Sequence, residues 1–207
     1  MTRPHLLALA IASTIIAALG LALVDLPVAR WLGAHEQSSL WETAVKILEV
    51  PAGITPSAWT MPIVLTGGVL LSLAVARWRD RAPSWMYLAL VYLLTRNVMG
   101  WGKTLTGRYR PIQWLKLGGG TFGHLGDGVS FPSGHVVAFA GLVLPLALIA
   151  PRTRPLLVVV AFIMVARVAV LAHFVSDVFA GLALTAFVAW ACAPITAMTP
   201  AGAPARR

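Results

Sequence analysis

Six apolar runs dominate this chain, at residues 6–24, 61–76, 85–101, 134–150, 156–171 and 178–195. A helix that crosses a bilayer needs about 20 mostly apolar residues, and each run comes near that length. Charge is too thin to cover a water-facing surface: 11% of the 207 residues are charged and 58% are hydrophobic, whereas soluble domains carry about 25% charged residues. The expected fold is all-α, a polytopic membrane helical bundle of about six transmembrane helices. It forms one domain over residues 1–198, and the Ala-, Pro- and Gly-rich tail at 199–207 is expected to be disordered. A secretory leader is the competing reading of the first run. That run continues past Ala18, Leu19 and Gly20 to Val24 and is long for a leader, which favours an uncleaved helix.

The net charge of +9 would suggest nucleic acid in a soluble protein. Here arginines cluster between the apolar runs: Arg3, then Arg77, Arg79 and Arg81, then Arg152 and Arg154, then Arg206 and Arg207. With six crossings these clusters fall on one side, which the positive-inside rule makes cytoplasmic, together with both termini. No nucleic-acid partner and no obligate protein partner is inferred. Trp31, Trp41, Trp59, Trp101 and Trp114 then lie toward the outer side, and Trp78 and Trp85 toward the inner one, as interfacial belts do. Residues 25–60, with Glu36, Glu42 and Glu49 around Leu40, Trp41, Val45 and Leu48, read as an amphipathic interfacial helix without chemistry of its own. Cys192 has no second cysteine to pair with and reads as a small buried hydrophobe.

Three polar segments remain, all assigned to the outer side. In the first, Lys103 and Arg110 are seven residues apart, a spacing that one helix would place on a single face. Pro111 argues against helix beyond Arg110. Two fixed cations suit a phosphate, while lipid-headgroup snorkelling is the plain alternative. In the second, Pro132-Ser133-Gly134-His135 opens the fourth run. A helix N-terminus there offers backbone N–H groups to an anion, Gly134 permits close approach, and His135 adds an acid or base. An ordinary N-cap beside an incidental histidine is the alternative. In the third, Arg167 precedes His173 and Asp177, which are four apart. One helical turn would bring those two together, so that the carboxylate fixes the ring tautomer and leaves the other nitrogen as a nucleophile. A structural His–Asp pair is the alternative there. His5, His35 and His124 lie outside these segments and no paired His/Cys spacing occurs, so no metal or other cofactor is expected. Arg96, His124 and Asp127 stay open as supporting or substrate contacts.

Taken together, Lys103-x6-Arg110-Pro111, Pro132-Ser133-Gly134-His135 and Arg167-x5-His173-x3-Asp177 resemble the three signature motifs of the type 2 phosphatidic acid phosphatase superfamily, which also holds the vanadium haloperoxidases and glucose-6-phosphatase. One departure is Ala166, where the family often has serine. The resemblance implies that Lys103, Arg110 and Arg167 bind phosphoryl oxygens, with Ser133 and the Gly134 N–H completing the cradle. It implies that His173 attacks phosphorus to give a phosphohistidine, that Asp177 orients His173, and that His135 protonates the leaving group. The expected activity is metal-independent hydrolysis of a lipid phosphate or diphosphate at the outer face of the cytoplasmic membrane. Undecaprenyl diphosphate is the first candidate. Phosphatidylglycerol phosphate, phosphatidic acid and lipid A phosphate, or a phosphotransferase acting on them, are alternatives. A non-catalytic lipid-phosphate-binding protein is the reading from another class.

Overall fold

The computed structural model describes residues 1–35, 38–55, 57–118 and 127–197. Helix α1 (Arg3–Leu19) starts with a proline in its first turn, passes through a π-helical turn at Gly20–Val24 and continues as α2 (Asp25–Gly33). Then come α3 (Ser39–Glu49), α4 (Thr60–Ala74), α5 (Ala82–Thr106), the short α6 (Pro111–Lys116), α7 (Gly134–Ile149), α8 (Leu157–Ala169) and α9 (Val175–Cys192). Short 3-10 turns at Ala76–Arg81 and Pro151–Leu156 make the connections that carry the arginines.

The chain is all-α, but the expectation of about six transmembrane helices is overturned. Among the described residues two helices are long and apolar enough to cross a membrane by length and composition: Arg3–Gly33, of 31 residues, and Val175–Ala197, of 23. Thr60–Ala74 and Gly134–Ile149 are apolar but shorter, and α8 has 13 residues. Helix α5 is long enough but carries Arg96, Asn97 and Lys103. The helices instead pack densely on one another over long sequence separations. α1 lies along α9, and α7 packs against α5, α8 and α9. Hydropathy counts apolar side chains without showing what covers them. Helix α7 is apolar on all sides because it is the central helix, with Val136, Val137, Ala138, Phe139, Ala140 and Leu144 all buried. The sidedness drawn from six crossings loses its basis with them.

The interfacial helix over residues 25–60 is corrected as well. Residues 25–33 prolong the first rod, Glu36 lies outside the described residues, and α3 docks on α8. Val45 is buried in that contact, and Trp41 stacks near Phe162 with ring centroids 5.6 Å apart. The tail at 199–207 also lies outside the described residues.

Several buried hydroxyls find backbone acceptors. Thr95 donates to the Val91 carbonyl (2.7 Å) and Thr185 to that of Gly181 (2.8 Å), while Tyr87 of α5 donates to the Ala189 carbonyl of α9 (2.9 Å). At one end of the bundle, α5 stops at Gly107, whose φ of 51° is left-handed. The chain then runs beside residues 128–130: the Gly128 N–H donates to the Gly107 carbonyl (3.1 Å) and the Ser130 N–H to that of Arg108 (2.9 Å). A Cβ on Gly128 would sit 2.2 Å from the Arg108 backbone, so only glycine permits this approach. Gly128→Ala is therefore expected to destabilise the fold by about 3 kcal/mol, read as a lowered thermal midpoint of the purified protein.

Candidate active site

The ends of α5, α8 and the starts of α7 and α9 converge where the chain makes these tight turns. The structure brings Lys103, Arg110, Ser133, Gly134, His135, Arg167, His173 and Asp177 to this one end of the bundle, by routes that differ from the spacing arguments. Lys103 lies in the last turn of α5, but Arg110 does not share that helix. The left-handed Gly107 ends α5, and Arg110 has extended backbone as the residue before α6. Pro111 does not end a helix there: it is the first residue of α6, a position where its missing N–H costs nothing. Arg110 and Arg167 lie close enough to Lys103 for their charges to bear on it.

His173 and Asp177 are not one turn apart on a helix. His173 precedes α9, and Asp177 is its third residue, folding back to accept the Phe174 N–H (2.8 Å) as a helix start does. Asp177 Oδ2 is 3.7 Å from His173 Nδ1, beyond hydrogen-bond length, and Ser130 fills the gap. The Ser130 hydroxyl donates to Asp177 Oδ2 (2.6 Å) and lies 3.5 Å from His173 Nδ1. Nδ1 is thus the ring nitrogen turned to Ser130 and Asp177. His173 is 2% exposed. Burial pushes its pKa down to about 4, against the opposing pull of Asp177, so the ring is neutral near pH 7.

Ser133 occupies the N-cap of α7 but makes no cap bond with its side chain. Its hydroxyl is buried without a hydrogen-bond partner among the described residues, as are Nε of Arg110 and Nε of Arg167. Its own N–H donates to the Asp177 carbonyl (3.1 Å), which joins the second motif to the third. A Cβ on Gly134 would meet only Lys103 Cε and Met99 at 3.8 Å, so packing does not demand glycine there. Lys103 donates to the Val129 carbonyl. Burial, then the Arg110 charge, brings its pKa down to about 8.

Spacing missed four residues. Arg108, two before Arg110, is buried and donates to Asp177 Oδ1, to Ser176 Oγ (2.7 Å) and to Asp25 Oδ2 (2.8 Å). Asp25, at the start of α2, also accepts the Ser176 N–H (2.9 Å) and the Ser176 hydroxyl. A lone acid closing an apolar run was the available signal for Asp25, and Ser130 is the third. Glu49, assigned no chemistry from sequence, accepts from His135 Nε2 at 2.6 Å. Arg96 is half-buried, with its guanidinium 5.8 Å from the Tyr92 ring centre. Asp127 is exposed, and His124 lies outside the described residues. Among the described residues no three His, Cys, Asp or Glu side chains gather as a metal-ligand set. Asp25→Ala would leave Arg108 short of one buried partner. It is expected to cost about 3–5 kcal/mol, and a thermal melt of the purified protein measures it.

Residues 84–200 match the PAP2 superfamily, over more than half of the chain. A curated relative, the lipid A 1-phosphatase of Rhizobium etli, is 32% identical over 209 residues, an alignment that covers 90% of this chain and 86% of the relative. No solved structure gives a significant match. The chain belongs to the PAP2 superfamily.

Proposed function

We propose that this protein hydrolyses a lipid phosphate without a metal, through a phosphohistidine on His173. Its general class, a lipid phosphate hydrolase, follows from the family and from the Rhizobium etli relative. The observation that carries the mechanism is the set of buried donors on Arg110, Arg167 and Ser133 that have no partner among the described residues, grouped with a neutral buried histidine. Buried polar groups are almost always bonded. Donors held in reserve around a nucleophile suit an oxyanion that they meet only when it is bound.

In this scheme Lys103, Arg110 and Arg167 hold the phosphoryl oxygens, with Ser133 and the backbone at Gly134 beside them. Nε2 of His173 attacks phosphorus in line. As the P–N bond forms, the bond from phosphorus to the lipid oxygen breaks, and His135 gives that oxygen a proton. Charge growing on the His173 ring is balanced by Asp177 through Ser130. A water then attacks the phosphohistidine, His135 takes its proton, and the P–N bond breaks to release phosphate.

The relative is named for the 1-phosphate of lipid A. At 32% identity over nine-tenths of this chain, that substrate stands first, ahead of the undecaprenyl diphosphate favoured from sequence. The two long apolar helices support association with a membrane, as do exposed side chains such as Leu23 in the π-helical turn after α1 and Ile63 and Leu70 on α4. A membrane would keep the tails of such a substrate within reach.

The test is phosphate release by the detergent-purified protein from lipid A, polyprenyl diphosphate, phosphatidic acid and phosphatidylglycerol phosphate, with a chelator present. Release from lipid A is expected. No release from any of the four sinks the proposal, and activity that vanishes with chelator refutes the metal-free route. His173→Ala is expected to lower turnover by at least about three orders of magnitude, whereas His135→Ala lets phosphoenzyme build up with a good leaving group. The pH dependence of kcat/KM follows from the free site. It falls below about pH 4 as His173 takes up a proton; on the alkaline side it falls first as His135, whose pKa burial and Arg167 hold below the ordinary value, loses the proton it must donate, and again above about pH 8 as Lys103 loses its charge. A profile without an acid limb near pH 4 would refute the assignment of His173.

A further inference from the structure

Glu49 comes from α3, a helix that sequence gave no role, and it lies against the proton donor of the proposed reaction. Its carboxylate oxygen Oε1 is 2.6 Å from Nε2 of His135, and the two side chains are 17% and 24% exposed. The other oxygen, Oε2, accepts the Thr55 hydroxyl at 2.9 Å. Thr55 is placed by a tight turn after α3, in which the Ile54 N–H donates to the Glu49 carbonyl (3.0 Å) and Gly53 has a left-handed φ of 62°. Both carboxylate oxygens are thus held before any substrate binds. Helix α3 packs on α8, whose last turn carries Arg167. Glu49, His135 and Arg167 therefore belong to one packed unit.

The charges around His135 explain why a carboxylate is needed. Burial, Arg167 and Arg110 all disfavour its protonated form, and Glu49 opposes them. Glu49 itself stays ionised: burial works against its charge, but hydrogen bonds from His135 and Thr55 and the charges of His135 and Arg167 hold its pKa below the ordinary value. A carboxylate only accepts hydrogen bonds, so it keeps a proton on Nε2.

We propose that Glu49 is a positioning residue for His135: it locks the ring through Nε2, leaves Nδ1 to exchange the proton with the leaving group and water, and supplies the negative charge that lets His135 carry that proton among cations. The inference rests on the phosphatase reading for its catalytic consequence, but the pairing of Glu49 with His135 is measurable without turnover.

The experiment compares the full-length wild-type protein with Glu49→Gln, which preserves size and an acceptor oxygen but removes the charge. In detergent, with 13C-labelled histidine, the His135 resonance is assigned by its loss in His135→Gln and titrated by NMR. Its midpoint is expected about one pH unit lower in Glu49→Gln; an unchanged midpoint overturns the inference. Kinetically, the variant is expected to lose about 10- to 100-fold in kcat on a lipid phosphate with an alkoxide leaving group. With a p-nitrophenyl phosphate ester, whose leaving group departs without a proton, the loss in the rate of the p-nitrophenol burst, which precedes the attack of water, is expected to stay within about threefold. Equal losses on both substrates, at an unchanged melting temperature, would show a merely structural role and overturn the inference. A wild-type protein that releases no phosphate refutes the phosphatase reading instead, and the NMR titration still decides whether Glu49 holds the proton on His135.

Discussion

The guanidinium of Arg108 sits between two buried carboxylates, Asp25 and Asp177, and the candidate site depends on that arrangement. Asp177 cannot stay ionised in the interior beside a neutral histidine unless a cation and hydrogen bonds stabilise it. Arg108 supplies the cation, while Ser130 and the Phe174 N–H supply further bonds. Arg108 also lies over the Phe174 ring, its guanidinium carbon 4.3 Å from the ring centre. Its second carboxylate partner, Asp25, is anchored in turn by Ser176 beside Asp177. The first long helix is thereby tied to the start of α9 by charge as well as by apolar packing. A buried ion network of this kind adds little net stability, but losing any one member strands the others.

The site has two electrostatic layers. Lys103, Arg110 and Arg167 form a cationic inner set, and their mutual repulsion is the cost of building it without an anion. Behind them stand Asp25, Asp177 and Glu49, each bonded to a residue that faces inward. Asp25 and Glu49 both precede residue 84, where the match to the superfamily begins. The matched segment supplies the groups assigned to chemistry, and the segment before it supplies two of the carboxylates that hold those groups in charge and place.

This division explains what could be read from sequence. Lys103, Arg110, Ser133, His135, Arg167, His173 and Asp177 stood out because each is a polar residue at the margin of an apolar run, in a short segment with a chemical logic of its own. The supporting residues lack such a local sign. Glu49 and His135 are 86 residues apart, and Asp25 and Ser176 are 151 apart, so only the folded chain relates them. The number of spanning helices failed for a different reason. A window of apolar residues looks the same whether lipid or protein covers it, and the burial of α7 by α5, α8 and α9 is a tertiary fact. The His173–Asp177 spacing pointed to a real proximity for a mistaken reason: a helix start, not a helical turn, brings the two together.

Close approach of backbones finishes the site, and it depends on small residues at the convergence. A Cβ on Gly102 would lie 2.8 Å from Pro132 Cδ, and one on Gly181 would lie 3.1 Å from the Ser133 carbonyl. Gly102 thus lets the end of α5 approach the Pro132-Ser133 segment, and Gly181 lets α9 pack under it. Each contact shortens the distance between motifs that lie tens of residues apart in sequence. The alkyl stem of Lys103 reaches the start of α7, its Cε lying 3.8 Å from where a Cβ on Gly134 would stand, while its ammonium donates to the Val129 carbonyl. Groups fixed by helix packing need little rearrangement when an anion arrives, and that preorganisation is what makes fixed cations effective against developing charge. The apolar body of α7 therefore shapes the candidate site. By filling the centre of the bundle, it holds Ser133 and His135 at the one end where the other polar segments meet.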